Sequence, residues 1–463
     1  MKKLWKYIPP CLSDVQGFQL VINETEGVGI VDDPSRYKNV PRAGEAGRGG
    51  FGGGKPMEFR GGRGERPEGF KDGRPMEFRS GRGERPEGFK DGRPMEFRSG
   101  RGERPMGFGG GPGGFEGHGG PGGGRPMGFG GRAAGRVFQS DLRNSDIISG
   151  TEAKILEAFE NNGKPFNPDF VLLCNAPSST MISSDLESAA LKISSSAQIP
   201  AGAVKIYGEK DYLYGVSMTL EAMGKLLLAP AERIPRTVNI LGCNTIDWPA
   251  DALSGLCSKL EGCGLSVLSR WGAAGMKTDD LKKAAHASVN LVVNVSGLRL
   301  ARYMESEFGI PYIAGAPFGN ENLTKILNEL SGNESFESPA DSDAELPCDA
   351  LVIGEQFAAN AIRRFLIKKG FSARVLSFYE TDKAYLQAGD KKLSGEDDLK
   401  EAVNADGIRL VIADPDYRMA VPEIEGRPVK WIEMPNSGMS VVNPVLPINM
   451  VGDRLDSWLS SNL

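Results

Sequence analysis

The stretch TVNILGCNTIDWPADALSGLCSKLEGCGLSVL, Thr237–Leu268, decides the fold class. Thr237 to Leu241 is a short β-branched run of the kind buried on both faces of a sheet. Pro249 to Glu261 spaces its apolar residues as a helix does, and Leu265 to Leu268 returns to strand. Strand, helix and strand in so short a span make a βαβ unit, which requires a parallel sheet. The same alternation extends outward. Strand patterns fall at Val28 to Val31, Phe170 to Cys174, Val204 to Tyr207, Val289 to Val295, Pro311 to Ile313, Ala350 to Gly354, Arg374 to Phe378 and Arg409 to Ala413. Helical patterns separate them, among them Ser184 to Ser196, Leu213 to Leu228, Gly297 to Phe308, Asn320 to Leu330 and Ala358 to Lys369. An α/β body of several Rossmann-like layers follows, with ligands expected at the carboxyl ends of the strands.

Between Arg42 and Arg136 the chain is another material. KPMEFRGGRGERPEGFKDG at Lys55 returns at Arg74 and Arg93 with a period of 19 residues, and RPMGFGG returns at Arg125. Of the chain's 62 glycines, 34 lie in this stretch, so the remaining 368 residues have ordinary glycine content and suffice for two or three compact units. Met and Phe stand isolated among Gly, Arg, Glu and Pro, leaving no apolar face to stack. The repeat is therefore expected to be a disordered, low-complexity insert rather than a solenoid. Charge divides along the same line: the insert balances at +7 and the body at −12. An acidic body is a poor nucleic-acid binder, and only the insert, whose Arg-Gly and Phe content resembles RGG-type segments, could bind RNA, weakly and against its own 12 acidic residues.

No run approaches 18 consecutive apolar residues, and the N-terminal MKKLWKYIPPCLSDVQGF has no signal-peptide core, so no membrane association and a cytoplasmic location are expected. Six scattered cysteines without a C-x-x-C predict no disulfide framework. Only His118 and His286 are histidines, which leaves little material for a multi-histidine metal site or a Ser-His-Asp triad. Neither G-x-G-x-x-G after a strand nor a P-loop occurs in the body, so no direct NAD or ATP site is expected.

Two strand ends carry candidate ligand-binding residues. The strand ending at Cys174 opens into Asn175-Ala176-Pro177-Ser178-Ser179-Thr180, and Val28 to Val31 opens into Asp32-Asp33-Pro34-Ser35-Arg36-Tyr37. Free amides and small hydroxyls at a helix start hold an anion or a cofactor edge, or simply cap the helix. The candidates are Asp33, Ser35, Tyr37, Asn175, Ser178 and Ser179. Cys243, Cys257, Cys263 and Cys348 read as packing residues.

The runs FQSDLRNSDIISGTEAKILEAFE from Phe138, PDFVLLCNAPSSTMISSDLESAA from Pro168, the opening TVNILGCNT segment, LKKAAHASVNLVVNVSGLRLARYMESEFGIPYI from Leu281 and APFGNENLTKIL from Ala316 together resemble the component 1 family of nitrogenase-like oxidoreductases. IPPCLSDVQGF and VGIVDDPSRYK resemble that family's cysteine-bearing turn and the loop after it. The resemblance implies three Rossmann-like domains with parallel sheets: 1–41 plus 137–235, 236–332 and 348–463, with the insert at 42–136 and a Ser/Glu/Asp/Pro-rich linker at 333–347. It also implies a second component 1-like chain, a separate ATP-dependent iron-sulfur reductase, and an iron-sulfur cluster for which Cys11 and then Cys174 are the candidate ligands. The pattern is departed from in three places. Tyr37 stands where a second cysteine belongs, Pro177 stands near the third while Cys174 lies three residues earlier, and no histidine follows Val429 to Met434. Two functional readings result: a redox subunit reducing a small molecule, or a non-catalytic partner that keeps the fold and interface without metal.

Overall fold

The computed structural model describes residues 6–9, 11–33, 135–143, 146, 149–180, 184–332, 348–422, 428–439 and 447–463. Ser35, Tyr37, the linker at 333–347 and all but the last two residues of the insert lie outside them, as does the side chain of Ser178.

Three parallel sheets with flanking helices make up the described body. Helix α1 (Asp14–Ile22) leads into β1 (Val28–Asp32), followed by β2 (Val137–Gln139), α2 (Glu152–Ala158), β3 (Val171–Asn175), the one-turn α3 (Pro177–Thr180), α4 (Leu186–Ala197), β4 (Ala201–Val204) and α5 (Tyr212–Leu227). The first sheet has the order β2-β1-β3-β4. The second is built from β5 (Ile234–Leu241), α6 (Ala250–Gly262), β6 (Ser266–Trp271), α7 (Thr278–Lys282), β7 (Ala287–Val292), α8 (Leu298–Phe308), β8 (Tyr312–Ala314) and α9 (Asn320–Leu330). Its order, β6-β5-β7-β8, repeats the first. The third holds β9 (Ala350–Ile353), α10 (Gln356–Lys368), β10 (Ala373–Ser377), β11 (Lys391–Lys392), α11 (Glu396–Val403), β12 (Leu410–Ala413) and β13 (Lys430–Glu433), ordered β11-β10-β9-β12-β13. A last helix, α12 (Asp453–Asn462), closes the chain.

These orders fix where ligands can sit. The strand order reverses between β1 and β3, between β5 and β7, and between β9 and β12. Helices leave to opposite faces at such a point, and a crevice opens beyond the carboxyl ends. Burial follows the two-residue period of the strands. In the first sheet Val28, Ile30, Val171 and Leu173 face a small core with Ile155 and Phe159, while Val31, Leu172 and Cys174 face a larger core continuous through the second and third sheets.

The chain ends tie the body together. Helix α1 begins with a capping box in which Ser13 and Gln16 satisfy each other's backbone N–H. It packs backbone to backbone on α5: a Cβ at Gly17 would lie 2.2 Å from the Tyr212 carbonyl oxygen, and one at Gly215 2.0 Å from that of Asp14. Upstream, the amides of Lys6, Tyr7 and Ile8 all donate to Glu396 Oε1 at the start of α11. At the other end Asn320 N donates to Asp456, so α12 sits against α9 of the second sheet.

The structure shifts some elements from their sequence expectation. The strand expected at Val204 to Tyr207 lies earlier, at Ala201–Val204, where it pairs with β3 from Val171 to Cys174. Helices α1 and α12 and strands β2 and β11 lie outside the sequence expectation.

Candidate functional site

The residues expected from sequence divide between two places. Asp33, Asn175, Ser179 and Cys174 gather at the carboxyl edge of the first sheet, where β1 and β3 part. Ser140 Oγ donates to Asp32 at 2.7 Å and accepts the Asp33 amide at 3.1 Å. Ser179, fully buried, is committed to its own turn: its hydroxyl accepts the Ala176 amide and lies within bonding distance of the Ala176 carbonyl and the Asn175 side chain. Ser179 is the third residue of α3, so this is the return half of a capping box, reaching back to the residue before the helix. Cys174 is enclosed, and burial first, then the carboxylates of Asp14, Asp32 and Asp33, push its thiol well above the ordinary range. Cys11 lies elsewhere, half-buried near Asp211, Tyr212, Asp247, Tyr379 and Tyr417; burial, then Asp211, raise its thiol too. Among the described residues no three His, Cys, Asp or Glu side chains are placed to hold a metal ion.

A second place has the geometry of a site. The loops after β5 and β7, at the switch point of the second sheet, and those after β9 and β12, at the switch point of the third, line one cavity of about 60 Å³. The first pair brings Asp247, Trp248 and Asn294, the second Glu355 and Asp414; Tyr379 comes from the end of β10 and Asn436 from beyond β13.

Asp247 is the hub. Its Oδ1 accepts the Tyr212 hydroxyl at 2.7 Å and Asn436 Nδ2 at 3.1 Å; its Oδ2 accepts Asn244 Nδ2 at 2.7 Å and Asn294 Nδ2 at 2.9 Å. One carboxylate thereby joins the start of α5, both central loops of the second sheet and the last strand's loop of the third. Glu355 caps α10 through the Ala358 amide at 2.8 Å and reaches the Val295 amide at 2.9 Å, pinning the third sheet to the second. Asp414 accepts the amides of Asp416 and Asn436 at 2.9 and 2.7 Å. The hydroxyls of Tyr379 and Tyr417 are buried and face each other, with no other hydrogen-bond partner among the described residues.

Desolvation dominates this cleft. Burial lifts Glu355 to about 7 against the pull of its two amides, with Asp247 adding a smaller push, and lifts Asp414 to about 6. A carboxyl whose folded value exceeds its unfolded one binds its proton more tightly when folded, so stability falls as pH rises through that interval. For Glu355 the interval runs from about 4.3 to 7. Between pH 6 and pH 8 it withdraws about 1 kcal/mol from the fold. The protein should therefore resist urea better at pH 6 than at pH 8, and Glu355→Gln should remove about 1 kcal/mol of that difference. An unchanged slope in the variant would place the titration elsewhere.

None of the cleft residues is among the candidates read from sequence, yet the signal is present there. Glu355 and Asp414 stand at or next to the ends of strand runs that the sequence shows plainly, and Asp247 and Asn294 stand in the loop or at the end of two more. The carboxyl-end rule, applied to the first sheet alone, reaches them when carried through all three.

Residues 125–344 match the family model described as nitrogenase component 1 type oxidoreductase. The chain is 26% identical over 226 residues to the nitrogenase iron-molybdenum cofactor biosynthesis protein NifE of Methanosarcina barkeri, covering 45% of this chain and 48% of that one. It is 25% identical over 234 residues to a subunit of the light-independent protochlorophyllide reductase of Cycas taitungensis, covering 47% and 45%. The chain thus spans about half the length of the curated relatives it matches. Among solved structures, a chain of "Nitrogenase Cp1 at pH 6.5" superposes with a TM-score of 0.54 at 14% identity, over 71% of this chain and 82% of that one, a likeness of fold. No helix among the described residues is long and apolar enough to cross a membrane.

Proposed function

We propose that this chain is a nitrogenase component 1-like oxidoreductase subunit that pairs with a second component 1-like chain, receives electrons from a separate ATP-dependent iron-sulfur reductase and acts on a small molecule in the cleft between the second and third sheets. The observation that carries this reading is the convergence of two switch points on one cavity with buried carboxyl groups and two buried phenols. Groups of that kind, placed where open sheets bind ligands, are what proton-coupled chemistry on a bound molecule needs.

The iron-sulfur cluster that the resemblance implies does not fit the described residues. Iron in such clusters is held by converging thiolates. Cys174 is a sealed, protonated thiol among three carboxylates, and Cys11 faces another set of acids and phenols. Asp33, Asn175 and Ser179 surround the first-sheet edge with oxygen donors already engaged in the fold. In this reading the paired chain supplies the thiolates, and this chain supplies the cleft.

The test is the reductase itself. The full chain, purified anaerobically with its paired chain, should raise the reductase's MgATP hydrolysis several-fold. A folded pair that leaves the rate unchanged would overturn the subunit role. The non-catalytic reading shares this docking and differs in transferring no electrons.

A further inference from the structure

The cleft has a charge pattern that selects its occupant, and the inference drawn from it rests on the cleft being the working site. Asp247, Glu355 and Asp414 line the cavity, and among the described residues no lysine, arginine or histidine lines it with them. The hydrogen bonds these acids receive come from amides and a phenol, neutral donors that spread their charge without cancelling it. Glu355 and Asp414 are 5% and 2% exposed, and each carboxylate oxygen has a lone pair beyond the one its amide uses. Buried carboxylates without a balancing cation are costly, and a bound cation offsets that cost directly.

The remaining walls agree. Trp248, Phe318, Tyr379 and Tyr417 place aromatic rings around the cavity. Ring faces attract cations, most strongly where water is excluded. Tyr379 and Tyr417, each 1% exposed, carry two hydroxyls that face each other and have no other partner among the described residues. A buried pair of phenols with no partner beyond each other keeps oxygen lone pairs that a ligand's N–H can meet. A bare divalent ion is a poor candidate, since no three ligating side chains converge among the described residues. An anion, whether a phosphate or a sulfide-bridged cluster, would meet three acids and no cation among the described residues. Size sets the last limit. One water needs about 10–15 Å³ of such space, so about 60 Å³ admits roughly four to six non-hydrogen atoms.

We propose that the cleft binds a small organic cation, a protonated or methylated amine, with its charge against Asp414 and Glu355 and its carbon atoms against the aromatic rings.

Ligand-observed NMR on the full chain tests this with trimethylammonium chloride as the probe, and sodium acetate and tert-butanol as anionic and neutral partners of similar size. Trimethylammonium should bind saturably with a millimolar Kd and acetate should not bind. Asp414→Asn should weaken the probe at least tenfold. Tyr417→Phe, which removes one hydroxyl of the phenol pair and leaves the ring, should weaken it two- to threefold, so the prediction survives even if the Asp414 variant fails to fold. Acetate binding as tightly as the amine, tert-butanol competing equally, or no saturable amine binding by folded wild type would each overturn the proposal. Its failure is separable from that of the subunit role: stimulated reductase without amine binding removes only the ligand class, and amine binding without stimulation removes only the role.

Discussion

Asp247→Ala lowers the stability of the protein by about 3 kcal/mol in urea unfolding, although the residue makes no ion pair among the described residues. The loss arises from its four donors. Tyr212, Asn244, Asn294 and Asn436 all aim at its two oxygens, and Tyr212 and Asn244 are fully buried. A buried donor left without an acceptor costs about 1–3 kcal/mol, and water entering from the adjacent cavity recovers part of the sum. Asp247→Asn should recover less than half, because an amide nitrogen then faces two donors that need an oxygen. A change below 1 kcal/mol for the alanine variant would mean that the helix start and the three loops are held together by packing alone.

Gly215→Ala costs at least about 3 kcal/mol, the larger effect per atom. Overpacking usually costs about 1–3 kcal/mol because side chains turn aside. Here the new Cβ would lie 2.0 Å from the Asp14 carbonyl oxygen, and no rotamer can move a carbonyl, so α1 and α5 must separate along their length. Gly255→Ala is the matched control: it lies within α6 with nothing within 4 Å of the added carbon. That substitution should stabilise by about 0.5–1 kcal/mol, the ordinary helix preference for alanine over glycine. Equal effects at the two positions in thermal or urea unfolding would refute the close crossing.

The α/β class is legible in the sequence because strand burial and helix periodicity are local: Thr237–Leu241 and Ala350–Ile353 announce themselves without reference to anything distant. Helix α1 is hidden for a physical reason. Its residues from Phe18 through Ile22 are all buried, so no polar face marks a period, and only the Ser13–Gln16 capping box remains as a signal. The strand-edge expectation for Asp33, Asn175, Ser179 and Cys174 matches where they lie. Sequence could not show that Ser179 serves its own turn, nor that Cys11 faces Asp211 and Tyr379 rather than Cys174, because both depend on how separate sheets stack. The cleft is non-local in the same way. Asp247 and Asn436 are 189 residues apart, and each looks like an ordinary loop residue until the second and third sheets bring them to 3.1 Å.

Electron delivery tests the central claim most directly. The reductase, reduced and loaded with MgATP, is mixed anaerobically in a stopped-flow cell with the full chain and its paired chain, and the reductase's visible absorption reports its oxidation. The account predicts oxidation that requires both ATP and this chain. Oxidation at the same rate without this chain, or none with a folded pair that binds the reductase, would contradict it.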